Sequence, residues 1–354
     1  MISTDLNVDA IATSGSLVAA GASQLTGRLW SGAVLVCAFT IPRFPVVRDL
    51  LALPRLRRRW SDLPSPTLDA QTANANGDVA SASTTAGVSA LACVADGVFV
   101  SGDDAGTLTM WSASTGHDAI ALDRGAAVAR AHDACISSIC VVADKSWFVT
   151  AGADARVRVW DTERAMRASG SDALLSAPDA RAVNAAAAHP TDANLFATAG
   201  DDGAARVWDL RVGAKRSVRE RAGPDVRGGV GRAYALAWAD ARLGEALAVG
   251  YESGAIAVLE TQETLSLATR GVVEAHAGAV RGLAWGGPTG LCLASCGDDG
   301  AVATHAGELP VTKKHFPHGD AYARCVAFWN RPGDGTARLV SGGWDGVVHA
   351  IDEL

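Results

Sequence analysis

Three groups of side chains in this 354-residue chain are of types that can do chemistry. His132, Thr150 and Asp154 offer an imidazole, a hydroxyl and a carboxylate, the ingredients of a charge relay. Asp201–Asp202 and Asp298–Asp299 set carboxylates side by side, as oxygen-liganded metals require. Seven cysteines (Cys37, Cys93, Cys135, Cys140, Cys292, Cys296 and Cys325) offer thiols. Each group also has a plainer account. A buried aspartate must find donors, and turn amides with a neighbouring histidine supply them. GDDG is ordinary tight-turn chemistry, because Asp and Gly tolerate the backbone angles that turns demand. The cysteine count is odd, CxxC is absent, no histidine stands at zinc-finger spacing, and most lie in apolar runs such as LVCAF. They read as small buried hydrophobes in a reducing compartment. No serine or cysteine sits in a nucleophile elbow, no phosphate-cradling glycine loop opens a helix, and HxxxH does not occur. The expectation is a chain without catalytic, cofactor or metal residues.

The elements that carry these residues repeat. An eleven-residue window recurs seven times, at 20–30, 101–111, 150–160, 198–208, 249–259, 295–305 and 341–351. The ends are 81, 49, 48, 51, 46 and 46 residues apart, and five of these gaps lie close to the period of a four-stranded propeller blade. Each window runs from a β-rich stretch through a Gly- or Asp-rich turn into a second alternating stretch that ends on a bulky residue, the pattern of a hairpin. A further alternating strand precedes each window, as at Val88–Val94 and Arg281–Trp285. A fourth follows most of them, as at Ala33–Thr40 and Ala119–Asp123. The last window stops three residues from Leu354, one strand short. Ile2–Leu6 is spare at the other end and can complete that blade, which also removes exposed sheet edges. The predicted fold is all-β, a single seven-bladed ring over residues 1–354 closed by its N-terminal strand.

AHDACISSICVVADKSWFVTAGADARVRVWDTE (131–163) and HPTDANLFATAGDDGAARVWDLR (189–211) resemble repeats of the WD40 family. The family's hydrogen-bonded His, Ser/Thr, Asp and Trp set maps onto His132, Thr150, Asp154 and Trp160 in the third repeat. In the sixth, His276, Ser295 and Asp299 match, with His305 in the Trp place. The fourth has Thr198, Asp202 and Trp208 without an upstream His. The seventh has Ser341 and Asp345, with Ile351 in the Trp place. The first, second and fifth hold Gln24, Ala105 and Ser253 where Asp belongs. Phe196–Arg211 also resembles the DWD box of WD40 proteins that serve cullin-RING ubiquitin ligases. Asp202, Trp208, Asp209 and Arg211 fall on its key positions and Ala205 departs. That resemblance implies contact between Asp209–Arg211 and a ligase adaptor.

Trp30, Trp111, Trp160 and Trp208 are expected at the ends of third strands, and Trp238, Trp285 and Trp329 between blades. Trp344 stands in the turn of the seventh window, and Tyr251 and Glu252 in that of the fifth. All three are candidate partner-binding residues. The longest gap holds an expected insertion over 41–87, between blades 1 and 2, leaving on the face of those turns. Its first half, 42–60, is basic and includes Arg55, Arg57, Arg58 and Arg59. Its second half is Ser/Ala/Asn-rich and linker-like. The basic stretch reads either as a short motif for an acidic partner or nucleic acid, or as a tolerated loop.

A net charge of −7 provides no global field for nucleic acid. No secretory signal or membrane-length apolar run is read, so a cytoplasmic or nuclear protein is expected. The leading expectation is a non-catalytic scaffold or adaptor for other proteins. A ligase substrate receptor and an RNA- or chromatin-associated factor using 42–60 are the alternatives.

Overall fold

The computed structural model describes residues 2–3, 6–15, 17–26, 29–38, 72–73, 79–115, 120–167, 173, 175–179, 181–212, 219–221, 231–239, 246–261, 267–287, 292–306, 311–330 and 337–351. They form seven small antiparallel sheets. β1 (Ile2–Ser3) pairs with the far end of the chain. Blade 1 is β2 (Asn7–Ser14), β3 (Leu17–Thr26), β4 (Leu29–Ala38) and β6 (Val79–Thr84), with β5 (Thr72–Ala73) on its edge. Blade 2 is β7 (Val88–Ala95), β8 (Val98–Asp103), β9 (Leu108–Thr115) and β10 (Ile120–Val128). Blade 3 is β11 (Ile136–Val141), β12 (Trp147–Gly152), β13 (Arg156–Asp161) and β14 (Leu175–Pro178), and blade 4 is β15 (Val183–Ala188), β16 (Leu195–Gly200), β17 (Ala205–Asp209) and β18 (Arg219–Arg221). Blade 5 is β19 (Ala233–Trp238), β20 (Ala246–Tyr251), β21 (Ala255–Thr261) and β22 (Leu267–Glu274). Blade 6 is β23 (Val280–Gly286), β24 (Cys292–Gly297), β25 (Val302–Ala306) and β26 (Val311–His315), and blade 7 is β27 (Ala323–Asn330), β28 (Ala337–Gly343) and β29 (Val347–Ile351), completed by β1.

The first strands touch in cyclic order from β2 to β27 and back to β2, so the ring is closed. Its seam is the pairing of Ile2 with Val348 and of Ser3 with Val347. No helix among the described residues is long and apolar enough to cross a membrane.

Blades cannot bury their faces alone, and the contact between them is specific. Near its start each first strand places an apolar residue, immediately before the bulge, against a small residue of the preceding blade's second strand. A Cβ on Gly102 would lie 2.5 Å from Ile136 Cγ2, and one on Gly342 would lie 2.4 Å from Val8 Cγ1. The tryptophans of the first strands stitch neighbouring blades by donating to backbone carbonyls: Trp238 to Ala187 at 3.1 Å, Trp285 to Ala237 at 3.2 Å and Trp329 to Gly15 at 2.8 Å.

The first repeat departs from the expected register. β3 and β4 form an extended hairpin in which Trp30 pairs with Leu25 near the tip. Residue Cys37, facing Val18, takes the place that Trp111 occupies opposite Phe99 in blade 2. Ala33–Ala38 therefore belongs to the third strand, and the fourth is β6, opposite β4. The segment expected as an insertion between blades thus leaves from inside blade 1, between its third and fourth strands. Ala38 pairs with Leu17, next to the β2–β3 turn, so the segment departs from the face opposite the one expected. Arg55, Arg57, Arg58 and Arg59, with the rest of 42–60, lie outside the described residues.

Gly342→Ala should destabilise the ring by about 1–3 kcal/mol through overpacking against Val8. Val8→Ala in the same chain should recover part of that loss, read as non-additivity in urea unfolding. Additive effects would mean that the blades are not locked at this contact.

Candidate functional site

Every first strand carries a bulge near its start, where one extra residue interrupts the pairing. A bulge redirects a side chain that strict alternation would place elsewhere. The seven bulged residues are Asp9, Ser89, Ser137, Asn184, Tyr234, Arg281 and Arg324, all polar and all half-buried. They form a polar belt. Ser89 donates to Ile136 O at 2.7 Å, Ser137 to Val183 O, and Asn184 to Ala233 O at 3.1 Å, each reaching the next blade. The Arg281 guanidinium lies 4.2 Å from the Tyr234 ring centre and binds Asp298 at 2.7 Å. Arg324 reaches Asp298 at 3.6 Å and Asp9 at 3.7 Å, so the belt crosses the seam.

Outside the belt stands a second tier, the residue that follows the second strand in blades 2 to 7. Its amide bonds back to the segment before the first strand: Asp104 to Gly87 O, Ala153 to Cys135 O, Asp201 to Ala182 O, Glu252 to Arg232 O, Asp298 to Ala279 O and Trp344 to Tyr322 O. The two tiers form one surface. On blades 2 to 4 it carries Ser89, Asp104, Ser137, Ala153, Asn184 and Asp201, and on blades 5 to 7 Tyr234, Glu252, Arg281, Asp298, Arg324 and Trp344. Trp344 is 40 % exposed and its indole donates to Asp9 Oδ1 at 2.9 Å, with Tyr322 tilted against it at 5.1 Å and Arg324 5.2 Å over its ring. Glu252 is exposed and accepts from the Arg232 amide at 3.2 Å. Asp104 has no ion-pair partner among the described residues. Burial pushes its carboxyl up and the nearby Asp9 and Asp103 charges add to that, against a contact from the Cys135 thiol.

Tyr251, expected at this surface, is buried at 1 % exposure. Its equivalents Gly152, Gly297 and Gly343 are glycines because a Cβ there would strike His132, His276 or His318. The fifth repeat has no such histidine and accepts a large side chain.

Beneath the surface lie the relays. In blade 3, Trp160 Nε1 donates to Thr150 Oγ1 at 2.9 Å, Thr150 to His132 Nε2 at 2.7 Å, and His132 Nδ1 to Asp154 Oδ1 at 2.9 Å. A neutral imidazole with its proton on Nδ1 pairs with both Thr150 and Asp154, with Arg158 Nη1 also 2.7 Å from that nitrogen, and burial lowers the His132 pKa. Thr150 is fully buried and its hydroxyl oxygen also accepts from Trp160, so the set is closed off from the surface and holds a turn. Burial would raise the Asp154 carboxyl, but hydrogen bonds from His132 and Arg158 outweigh it and hold it below the usual range.

Blade 6 repeats the arrangement with His276, Ser295 and Asp299, each link at 2.8 Å. His305 Nε2 meets Ser295 at 2.9 Å in the Trp position, and its Nδ1 is buried without a partner. An indole offers a donor alone, whereas imidazole adds an acceptor that nothing here meets. Burial pushes His305 down to about 4.

Two relays were legible in the sequence only in part, each without its upstream partner. In blade 4, Asp179 fills the histidine place: Thr198 donates to it at 3.1 Å, and Arg206 bridges it (3.1 Å) to Asp202 (2.5 Å), while Trp208 donates to Thr198 at 2.8 Å. In blade 7, His318 binds Ser341 at 3.0 Å and Asp345 at 2.9 Å. In blade 2, Trp111 donates to Ser101 at 2.8 Å, and Asp103 rather than Ala105 accepts the turn amides.

On the opposite face, Asp209 holds Arg211 by paired hydrogen bonds of 2.8 and 2.9 Å, and Arg211 also reaches Asp192 at 3.2 Å. Its side chain is 57 % exposed.

His305 titrates near 4 in the folded chain against 6.5 when unfolded, so its contribution is complete above pH 6.5 and is lost as pH falls towards 4. The loss is on the order of 3 kcal/mol at pH 4. His305→Trp should flatten the fall of the urea midpoint between pH 6.5 and pH 4. An unchanged slope would place the acid sensitivity elsewhere.

The family model "WD domain, G-beta repeat" matches residues 126–161 and 173–209. No curated protein sequence matches the chain. Two repeats match that family's sequence and stand in a closed ring of seven blades, which is consistent with a WD40-repeat β-propeller.

Proposed function

We propose that this chain is a non-catalytic platform that binds other proteins across the two-tier surface on the turn face of the ring. WD40 propellers are in general protein-interaction scaffolds. The observation that carries the reading is the exposed Tyr322–Trp344 pair beside a belt of seven polar residues that the bulges turn toward the same end of every blade. Large aromatic anchors next to arginine are the residues on which interface energy concentrates. The belt is cross-linked before any partner arrives, so little ordering cost remains for binding. Asp104 calls for a cation, so the fitting partner is a protein segment with a basic side chain for Asp104 and an apolar one for Trp344. The unpaired cysteines suit the cytosol or nucleus, where we place its work.

A second reading has its own observation. Arg211 is exposed and oriented by Asp209 and Asp192 on the far face, as contact with a ligase adaptor requires. The two readings use different faces and can be separated.

Affinity purification of the tagged chain should be run beside a Trp344→Ala, Asp104→Lys double variant and Arg211→Ala. Loss of the main partners with the double variant alone supports the turn-face platform. Loss with Arg211→Ala alone transfers the function to the adaptor reading, and loss with neither overturns both.

A further inference from the structure

We propose that His318, Asp345 and His349 in blade 7 form a site for a divalent transition metal, Zn2+ being the ion that the donor set suits. The first argument is a comparison within the chain. Four blades hold a turn aspartate in a relay, and three of these carboxylates meet a permanent cation. Asp154 has Arg158 at 2.7 Å, Asp202 has Arg206 at 2.5 Å, and Asp299 has Lys314 at 3.1 Å. Asp345 has instead His349 Nε2 at 2.9 Å. His349 stands four residues after Asp345, the place of Arg158 and Arg206 relative to their aspartates. With both imidazoles neutral, a half-buried negative charge is left that the other blades neutralise. A divalent ion supplies the missing charge.

The geometry is the second argument. His318 Nδ1, an Asp345 carboxylate oxygen and His349 Nε2 all lie within 4.8 Å of one another. The His318 ring is fixed from behind by Ser341 on Nε2, which aims Nδ1 at the carboxylate, and orientation of a ligating imidazole through its other nitrogen is the usual device of metal sites. The two rings stand nearly perpendicular, at 89°, with centroids 4.7 Å apart, so both present a nitrogen to the same carboxylate. Two nitrogens and one oxygen with an open fourth position is a donor set that zinc accepts. The His318 side chain is buried, while those of His349 (16 % exposed) and Asp345 (21 %) leave a path for the ion and for a completing water.

The place in the fold gives the site a consequence. His349 lies in β29, next to Val348, which pairs with Ile2 across the seam. A metal tying β29 to His318, ahead of β27, would brace the blade that closes the ring, and stability would rise with metal concentration.

The full-length chain, stripped with chelator, should be titrated with Co2+ as spectroscopic probe and with Zn2+ by calorimetry near pH 7.5. The expected result is one equivalent bound, visible Co2+ bands displaced by Zn2+, affinity falling as the imidazoles protonate, and a Tm that climbs with Zn2+. H349R installs the arginine of blades 3 and 4. It should keep the Tm of the stripped protein and bind metal at least about a hundredfold more weakly. H349Q serves the same comparison if the arginine is not accommodated. No saturable binding by the native chain, or undiminished binding by these variants, overturns the site and leaves His349 as a hydrogen-bond partner of Asp345 alone.

Discussion

Adjacent blades meet where an apolar residue near the start of one first strand enters the space left by a glycine, alanine or cysteine on the blade before it. Ile136 over Gly102, Val280 over Gly250 and Val8 over Gly342 leave no room for a Cβ. This contact sets the spacing of the ring, because a blade's two faces are apolar and must be covered by neighbours. It recurs across the seam, where Val8 of blade 1 meets Gly342 of blade 7, and so closure by two residue pairs of β1 is backed by packing.

The same stretch of first strand that makes this contact also carries the bulge. The residue after Val8, Val88, Ile136, Val183, Ala233, Val280 and Ala323 is in every case the bulged one. Packing between blades and presentation of the polar belt are therefore one piece of backbone geometry. That coupling explains why the surface can vary from Ser89 to Arg324 without altering the ring. The apolar neighbour holds the strand, and the extra residue is free to be whatever the surface requires.

The period, the strand order and the closure were legible because they rest on local signals: alternation, turn residues and the count of strands at each end. The first blade was not, since a tryptophan at Trp30 mimics the end of a third strand while Cys37, the true equivalent, resembles nothing. His318 was hidden by spacing. It lies 23 residues before its serine, against 18 for His132 and 19 for His276. Asp179 was hidden because a carboxylate stands where the repeat pattern has a histidine, and it accepts from Thr198 just as an imidazole nitrogen would. The belt escaped because a bulge breaks the two-residue period on which any reading of strand faces depends. Tyr251 was misplaced for the converse reason: its turn looked exposed, yet the absence of a histidine in that repeat opened room beneath it.

The relays and the surface are bound more closely than their separate description implies. Each relay aspartate directly follows the residue that its turn presents: Ala153 precedes Asp154, Asp201 precedes Asp202, Asp298 precedes Asp299 and Trp344 precedes Asp345. Asp154, Asp299 and Asp345 also accept an amide from the far side of the same turn, as Val347 donates to Asp345 at 3.1 Å. A carboxylate fixed from below thus fixes the backbone of the side chain shown above. Where the carboxylate is saturated by arginine, the turn is held at all ordinary pH, since guanidinium does not titrate there. In blade 7 the partner is imidazole, so the turn carrying the exposed tryptophan is the one whose anchoring responds to what His349 binds.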